Sequence, residues 1–318
     1  MTSSPSKPWK MFLPLGAVLL LAALWSIYWF AASSYARSAF DQERARLSVQ
    51  GVKFTCGDES WGGFPFRFEW NCDSLSIDAP SGHVESTRLR AVTLAYNPTH
   101  ILIFLDGSTS ASAVGTSFTA KVPGQIVASL ESLAGNNPRF SVDIPAASAG
   151  EFGEASRILL HGRIEEDKAE FAAEAQSVSI NVAGHPPVNG LDITFLASTP
   201  GGLAALGHLP SDLQEGRATV TIEQLRLKSG TMNASGNGTL GLDANRRIAG
   251  SFSAETNDID GLLAVLAPIF QMKDGDRAMI RNMLAGPGTP APAKATFTAK
   301  DGALYWGVIP VGLLEPVY

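Results

Sequence analysis

The sequence predicts an α+β protein that is mostly β: an N-terminal transmembrane helix, then curled antiparallel sheets with a few short amphipathic helices. Three observations predict it. Residues 11–32 form an uninterrupted apolar run. About a dozen later segments alternate apolar and polar residues between Gly, Asn, Asp and Pro punctuators. Few segments carry helical periodicity. A sheet must bury its apolar face, and so few helices cannot roof so many strands. The sheets must therefore curl, stack on one another or hold apolar material.

Residues 1–10 read as a short tail. The run MFLPLGAVLLLAALWSIYWFAA follows, and no charge lies between Lys10 and Arg37. A bilayer core of about 30 Å takes about 20 such residues as a helix. Trp25, Tyr28 and Trp29 sit near the end of the run, where aromatic rings favour the headgroup level. A cleaved signal peptide would have a shorter apolar core, of about 7–15 residues. AASSYARSA passes as a cleavage site, but the length of the run favours an uncleaved anchor. Lys7 and Lys10 precede the span and Arg37, Arg44 and Arg46 follow it, so the positive-inside rule does not orient it. Residues 33–50 read as a helical stalk ending at Gly51, a natural C′ residue.

The only cysteines, Cys56 and Cys72, bracket GDESWGGFPFRFEWN. With a period of two, Phe54, Cys56, Phe64, Phe66, Phe68, Trp70 and Cys72 share one parity; Lys53, Arg67 and Glu69 share the other. VKFTC and FPFRFEWNC are thus expected to pair as strands with an aromatic face, with Asp58, Glu59 and Gly62–Gly63 supplying the turn. Directly opposed cysteines on one face lie close to the separation a disulfide requires. Zinc wants about four ligands at local spacing, and a redox pair favours Cys-x-x-Cys. Two thiols at positions 56 and 72, with no histidine between them, favour a structural staple. Such a bond stabilises by about 3 kcal/mol in the chain-entropy model and implies an oxidising compartment. The body is then expected outside the cytoplasm, with the anchor's N-terminus inside.

The body divides into a first β-rich half, 51–150, containing this hairpin, and a second, 151–318, with helices near 258–285. Segments such as LRAVTLAYN, HILIFL, RFSVDI, RILLHGRIE, LDITFLA and ATVTIEQLRL read as strands. GTLGLDANRRIAGSFSAE reads as a hairpin turning at Asp243–Arg246. Helices are expected in QIVASLESLAG, from Ile126, Val127, Leu130 and Leu133, and in NDIDGLLAVLAPIF, capped by Asn257 or Asp258. GDRAMIRNMLAG is a third, and GGLAALGHLPSDLQEG a shorter one. A strands–helix–strands order then recurs in 52–145 and 155–310. The apolar end, DGALYWGVIPVG, reads as a buried closing strand, with a lipid- or partner-facing edge as the alternative.

The net charge of −6 and the lack of a basic run argue against nucleic acid as a partner. GNGTLG at 236–241 matches a dinucleotide fingerprint in letters, but it lies in a strand pattern and opens no helix. No nucleotide or other cofactor is therefore expected. The sequons at Asn233 and Asn237 read as chance matches in Gly/Ser/Asn-rich β structure. His83, His100, His161, His185 and His208 are scattered without metal spacing, so no metal site is expected. Glu165, Glu166 and Asp167 read as a solvated acidic turn. No G-x-S-x-G, S-x-x-K or H-E-x-x-H occurs, so no catalytic residue is nominated and a non-enzymatic protein is expected. Arg67 and Glu69 read as cross-strand charge partners. The hairpin residues Phe64, Phe66, Arg67, Phe68, Glu69 and Trp70 are the candidate binding or structural element.

GVKFTC, GGFPFRFEWNC, LRAVTLAYNPTHIL and DGALYWGVIPVGLLEP, behind the N-terminal anchor, resemble the bacterial family called domain of unknown function 2125. The resemblance covers nearly the whole chain, and G-F-P-F-R-x-E-x-x-C is its most specific stretch. It implies a membrane-anchored protein of the Gram-negative envelope, and with the disulfide reading an inner-membrane single pass, N-terminus cytoplasmic and body periplasmic. GNGTLGLDANRRIAGSFSAETNDIDGLLAVL is more loosely similar to repeats of AsmA-like proteins, which implies lipid movement or envelope assembly through curled sheets with apolar interiors. The surplus of apolar strand faces points to lipid as the binding class, held in the sheet interior with the amphipathic helices as lids; the alternative is a scaffold whose exposed edges and Phe/Trp hairpin bind an envelope protein partner.

Overall fold

The apolar run and the stalk are one helix, α1, spanning Trp9–Val49. Gly51 closes it in a left-handed conformation (φ 85°), and the Val52 N–H reaches back to the Leu47 carbonyl at 3.0 Å, the longer bond of a Schellman motif. The computed structural model describes residues 9–113, 119–132, 137–165, 167–201, 219–285 and 291–316.

The strands that follow are β1 Lys53–Gly62, β2 Arg67–Ala79, β3 Gly82–Leu94, β4 Asn97–Ala113, β5 Ala120–Val122, β6 Ile126–Glu131, β7 Arg139–Ser148 and β8 Gly153–Ile164. They continue as β9 Lys168–Ile180, β10 Val188–Pro200, β11 Thr219–Ser229, β12 Met232–Leu242, β13 Ile248–Thr256, β14 Ala293–Lys300, β15 Ala303–Trp306 and β16 Ile309–Leu313. All join one antiparallel sheet in nearly sequential order, with β5 and β6 sharing the position between β4 and β7. Each strand finds its partner through a local connection, so short turns suffice to build the sheet. β1 and β16 remain its two ends.

Two helices lie between β13 and β14: α2, Ile259–Ile269, and α3, Asp274–Leu284. Asp258 caps α2 by accepting the Gly261 N–H at 3.1 Å. Asn257 instead ties down the β11–β12 turn, accepting from the Asn233 N–H at 2.7 Å and donating to the Thr231 carbonyl at 2.9 Å. Ile259 and Leu263 of α2 pack with Ile280 and Leu284 of α3, and Arg281 Nε donates to Asp260 Oδ1 at 2.7 Å.

Three expectations are corrected. Ile126–Glu131 is a strand, not a helix: it pairs with β4 through Ile101–Leu130 and with β7 through Leu130–Phe140. Two strands needing a common partner outweigh a periodicity that six residues satisfy either way. The strands–helix–strands order therefore does not recur in 52–145 among the described residues. The first hairpin turns later than expected, at Gly63–Phe66, so Asp58 and Glu59 lie inside β1 and Phe64 and Phe66 lie on the turn. Gly63 (φ 101°) explains the shift, because a Cβ there would stand 2.5 Å from the Arg67 carbonyl oxygen. The apolar C-terminal run forms the edge hairpin β15–β16, with Val308 92% and Leu313 88% exposed, instead of a buried closing strand. Edge position also accommodates Pro310, which has no N–H to donate. The short helix expected in 201–216 lies almost wholly outside the described residues, as do Glu166 and His208.

Candidate functional site

α1 packs on the first hairpin through one stripe of its surface. Trp25, Trp29, Ser33, Phe40 and Arg44 recur at helical spacing and are buried or half-buried, whereas Leu20, Leu24, Ile27 and Phe30 are exposed. Three polar atoms of this segment bond backbone carbonyls of the sheet. Trp25 Nε1 donates to Pro65, Tyr28 Oη to Ala95 and Trp29 Nε1 to Arg67, each at 2.8 Å. The carbonyls lie at the β1–β2 and β3–β4 turns, where strand pairing leaves such acceptors free. Trp29 also stacks on Phe68 at 5.6 Å between ring centres.

Farther along α1, Phe40 meets Phe54, Trp61 and Trp70, the last at 4.7 Å between centroids. The Arg44 guanidinium stands 4.8 Å from the Phe40 ring centre and 5.1 Å from that of Phe54. It also bonds Glu59 at 3.0 Å. Glu59 accepts from Trp61 Nε1 at 3.1 Å and Trp70 Nε1 at 2.9 Å. Partial burial pushes its carboxyl up, but the bonds from Arg44, Trp70 and Trp61 outweigh this and hold it below the ordinary 4.5. The carboxylate thus unites α1, β1 and β2.

Cys56 and Cys72 lie at disulfide distance, with Cα atoms 5.6 Å apart. They are not facing partners in the ladder as expected: Cys56 pairs with Leu75 and Cys72 with Glu59. The bond runs diagonally across an irregularity in which Ser74 takes φ 57°. There the buried pattern of β2 shifts, so that Phe68, Trp70, Cys72 and then Leu75 point into the core.

Of the nominated residues, the structure gathers Phe68, Trp70, Cys56 and Cys72 at the junction with α1. Phe64 and Phe66 sit on the turn, 51% and 62% exposed. Arg67 faces Leu94, and Glu69 faces Gly62 and Val92. The two charges therefore have no charged cross-strand partner, because the β1 and β3 residues opposite them are apolar. Sequence reading missed Trp29, Phe40, Arg44 and Glu59 as one site; the helical spacing of the first three was the available signal.

Strand register creates a second feature. Trp61, Trp70, Ala91, Ile103, Ala128, Val142 and Leu160 are successive cross-strand partners. The row continues through Ala173, Phe195, Leu225, Gly236, Ala254 and Ala295. It runs unbroken from β1 to β14 without a polar side chain, a path of roughly 50–60 Å at the spacing of neighbouring strands. A parallel row starts at Phe68, passes through Thr93, Ile101, Leu130 and Phe140, and includes Phe171, Ile222, Phe252 and Phe297. On the opposite face, Asn71, Arg90, Asp143, Glu174, Arg226 and Glu255 share one row with Phe104, Val127 and Leu159.

α1 covers the apolar face at its β1–β2 end, through Phe40 on Trp61 and Trp70. α2 covers it near β10–β12, where Val265 and Leu262 pack with Ile193, Leu227 and Ala234. Ile103, Val142, Leu160 and Phe195, between these roofs, are only half-buried. Glycines shape this face: the Phe140 ring lies over Gly162 and the Phe252 ring over Gly236. GNGTLG thus belongs to β12, paired with β11 and β13.

The polar face holds a depression of 540 Å³ lined by Ser129, Arg139, His161, Arg163, Glu170 and Glu223, among others. Arg163 and Lys168 both bond Glu170, which pulls its carboxyl down to about 2. Lys168 also bonds Glu223 at 2.8 Å. Among the described residues, no group of three or more His, Cys, Asp and Glu side chains is placed to hold a metal ion.

These features define a class: one large antiparallel sheet packed at one end on an N-terminal helix long and apolar enough to span a membrane. The family model for domain of unknown function 2125, an uncharacterised protein conserved in bacteria, matches residues 29–315. The chain belongs to that family. Neither a curated protein nor a solved structure matches it. None of the comparisons shows the looser likeness to AsmA-like proteins.

Proposed function

We propose that the protein is a non-enzymatic, inner-membrane-anchored factor whose periplasmic body handles lipid along the apolar face of its sheet. The carrying observation is the row from Trp61 to Ala295, apolar at every step and half-buried between the α1 and α2 roofs. A face of this extent is unfavourable in water and marks an interaction surface. Acyl chains suit it, because they need apolar contact without directional bonds. The parallel row starts at Phe68, against Trp29 of the anchor, so this face begins beside the bilayer. The periplasmic location rests on the Cys56–Cys72 pair, since disulfides persist in oxidising compartments.

Native mass spectrometry of the full chain released from detergent tests this. Phospholipid retained by the wild type should be lost in Leu160→Glu, which charges the apolar row. It should be kept in Leu159→Glu, one residue away on the opposite face. Equal retention in the two variants counts against the reading.

A second reading, a scaffold for an envelope protein, is favoured by the β16 edge. Ile309 and Leu313 are 52% and 88% exposed, and an unpaired edge can accept another chain's strand. Crosslinking in cells from Val308 should then capture one protein reproducibly; adducts with no recurring protein count against it.

A further inference from the structure

Phe64, Phe66 and Tyr96 are 51%, 62% and 69% exposed. They sit on the β1–β2 and β3–β4 turns, which the Ala95 N–H joins by donating to the Phe66 carbonyl at 2.9 Å. These turns touch α1 through Trp25, Tyr28 and Trp29. Counted from Met11, a span of about 20 residues ends near Phe30. At the helical rise, Trp25 then lies roughly 7 Å inside that boundary. The turns bonded to Trp25 and Trp29 are therefore held at the depth of the last turns of the span.

The exposed apolar surface is continuous from helix to turns. Phe30 is 63% exposed, and its ring stacks on Phe64 at 5.7 Å. Neither Gly63–Arg67 nor Leu94–Asn97 contains an acidic residue, while Arg67 contributes a positive charge. This combination complements an anionic bilayer surface: rings below the headgroups, a cation at phosphate level.

We propose that the two turns form a foot inserted into the leaflet surface that takes the C-terminal end of the α1 span. Phe64, Phe66 and Tyr96 rest at the boundary of headgroups and acyl chains, and Arg67 reaches lipid phosphate. With α1, the foot fixes the sheet at two points, which sets its tilt and holds Phe68 at the bilayer. The proposal rests on α1 spanning the membrane, but not on lipid travelling along the sheet.

The test uses the full chain with its disulfide intact, carrying an environment-sensitive fluorophore on one added cysteine. Separate variants are Leu20→Cys in α1, Phe66→Cys and Tyr96→Cys in the foot, and Ser81→Cys at the opposite end of β2. Ser81 lies roughly 40 Å from the foot along the strand. Each is reconstituted into phosphatidylcholine–phosphatidylglycerol vesicles with or without lipid spin-labelled on the upper acyl chain. Labels at Phe66 or Tyr96 should emit blue-shifted, lose intensity to the spin label and resist aqueous iodide. The Ser81 label should behave oppositely. Foot labels quenched by iodide as strongly as Ser81 overturn the proposal, as does protection from both quenchers, which seats protein there instead. If Leu20, which a spanning α1 places near mid-bilayer, is also open to iodide, the anchor reading fails together with the foot. If Leu20 resists iodide and the foot labels do not, the foot alone fails.

Discussion

Trp29 Nε1 donates to the Arg67 carbonyl at 2.8 Å, joining α1 to the first turn of the sheet. Trp29 is 5% exposed and also stacks on Phe68. Trp29→Ala should destabilise the junction by about 3–5 kcal/mol, the usual cost of removing a buried aromatic side chain. Trp29→Phe keeps a ring and loses the bond, so its cost should include about 1 kcal/mol for that bond. Urea denaturation of the full chain in mild detergent, followed by circular dichroism, measures both. A Trp29→Phe midpoint equal to that of the wild type would contradict a separate hydrogen-bond contribution, and equal midpoints for the two variants would contradict the contribution of the ring.

The Cys56–Cys72 bond closes a loop with sequence separation 16. Its removal by paired alanine substitution should cost about 3 kcal/mol in the chain-entropy model. The same urea experiment should show a lower midpoint for the double variant, and added reductant should then shift the wild type but not the variant.

Glu59 predicts an acid limb. Its folded-state pKa lies below the ordinary 4.5 because the bonds from Arg44, Trp70 and Trp61 outweigh its burial. A depressed carboxylate pKa gives stability that is fully present above the unfolded value and lost as pH falls through the folded one. Wild-type stability should therefore decline below pH 4.5 more steeply than that of Glu59→Gln, which cannot titrate there. Thermal unfolding across that window gives the comparison; parallel acid limbs would remove Glu59 from the account.

Glycine has opposite values at two positions. A Cβ on Gly162 would stand 2.0 Å from Cε1 of Phe140, so Gly162→Ala should displace the ring and cost about 1–3 kcal/mol. A Cβ on Gly275, in the first turn of α3, meets nothing within 4 Å. Gly275→Ala should raise stability by up to about 1 kcal/mol through helix propensity. Differential scanning calorimetry should show melting shifts of opposite sign.

The sequence made the strands legible because alternating residues and turn formers mark a half-buried sheet locally. α1, α2 and α3 were legible from their length or capped apolar faces. Ile126–Glu131 was not: six residues satisfied both periods, and only the need of β4 and β7 for a common partner decided between them. The junction between α1 and the sheet was half legible. Trp25, Trp29, Ser33, Phe40 and Arg44 already form a stripe in the sequence, but nothing local says that β1 and β2 cover it. The long apolar row was illegible, because each alignment depends on turns and on register shifts such as those at Leu196/Ala197 and between Ile222 and Leu225. Those are settled by cross-strand packing, one pair at a time.

The central claim is that lipid occupies one face of this sheet and not the other. Leu160 and Leu159 are adjacent, with opposite parity in β8, and pair in β9 with Ala173 and Glu174 respectively. A photo-reactive amino acid placed at each position in cells labelled with radioactive phosphate tests the claim most directly. The account predicts phospholipid adducts from position 160 and none above background from position 159. Adducts of equal yield from both, or from neither, would contradict it.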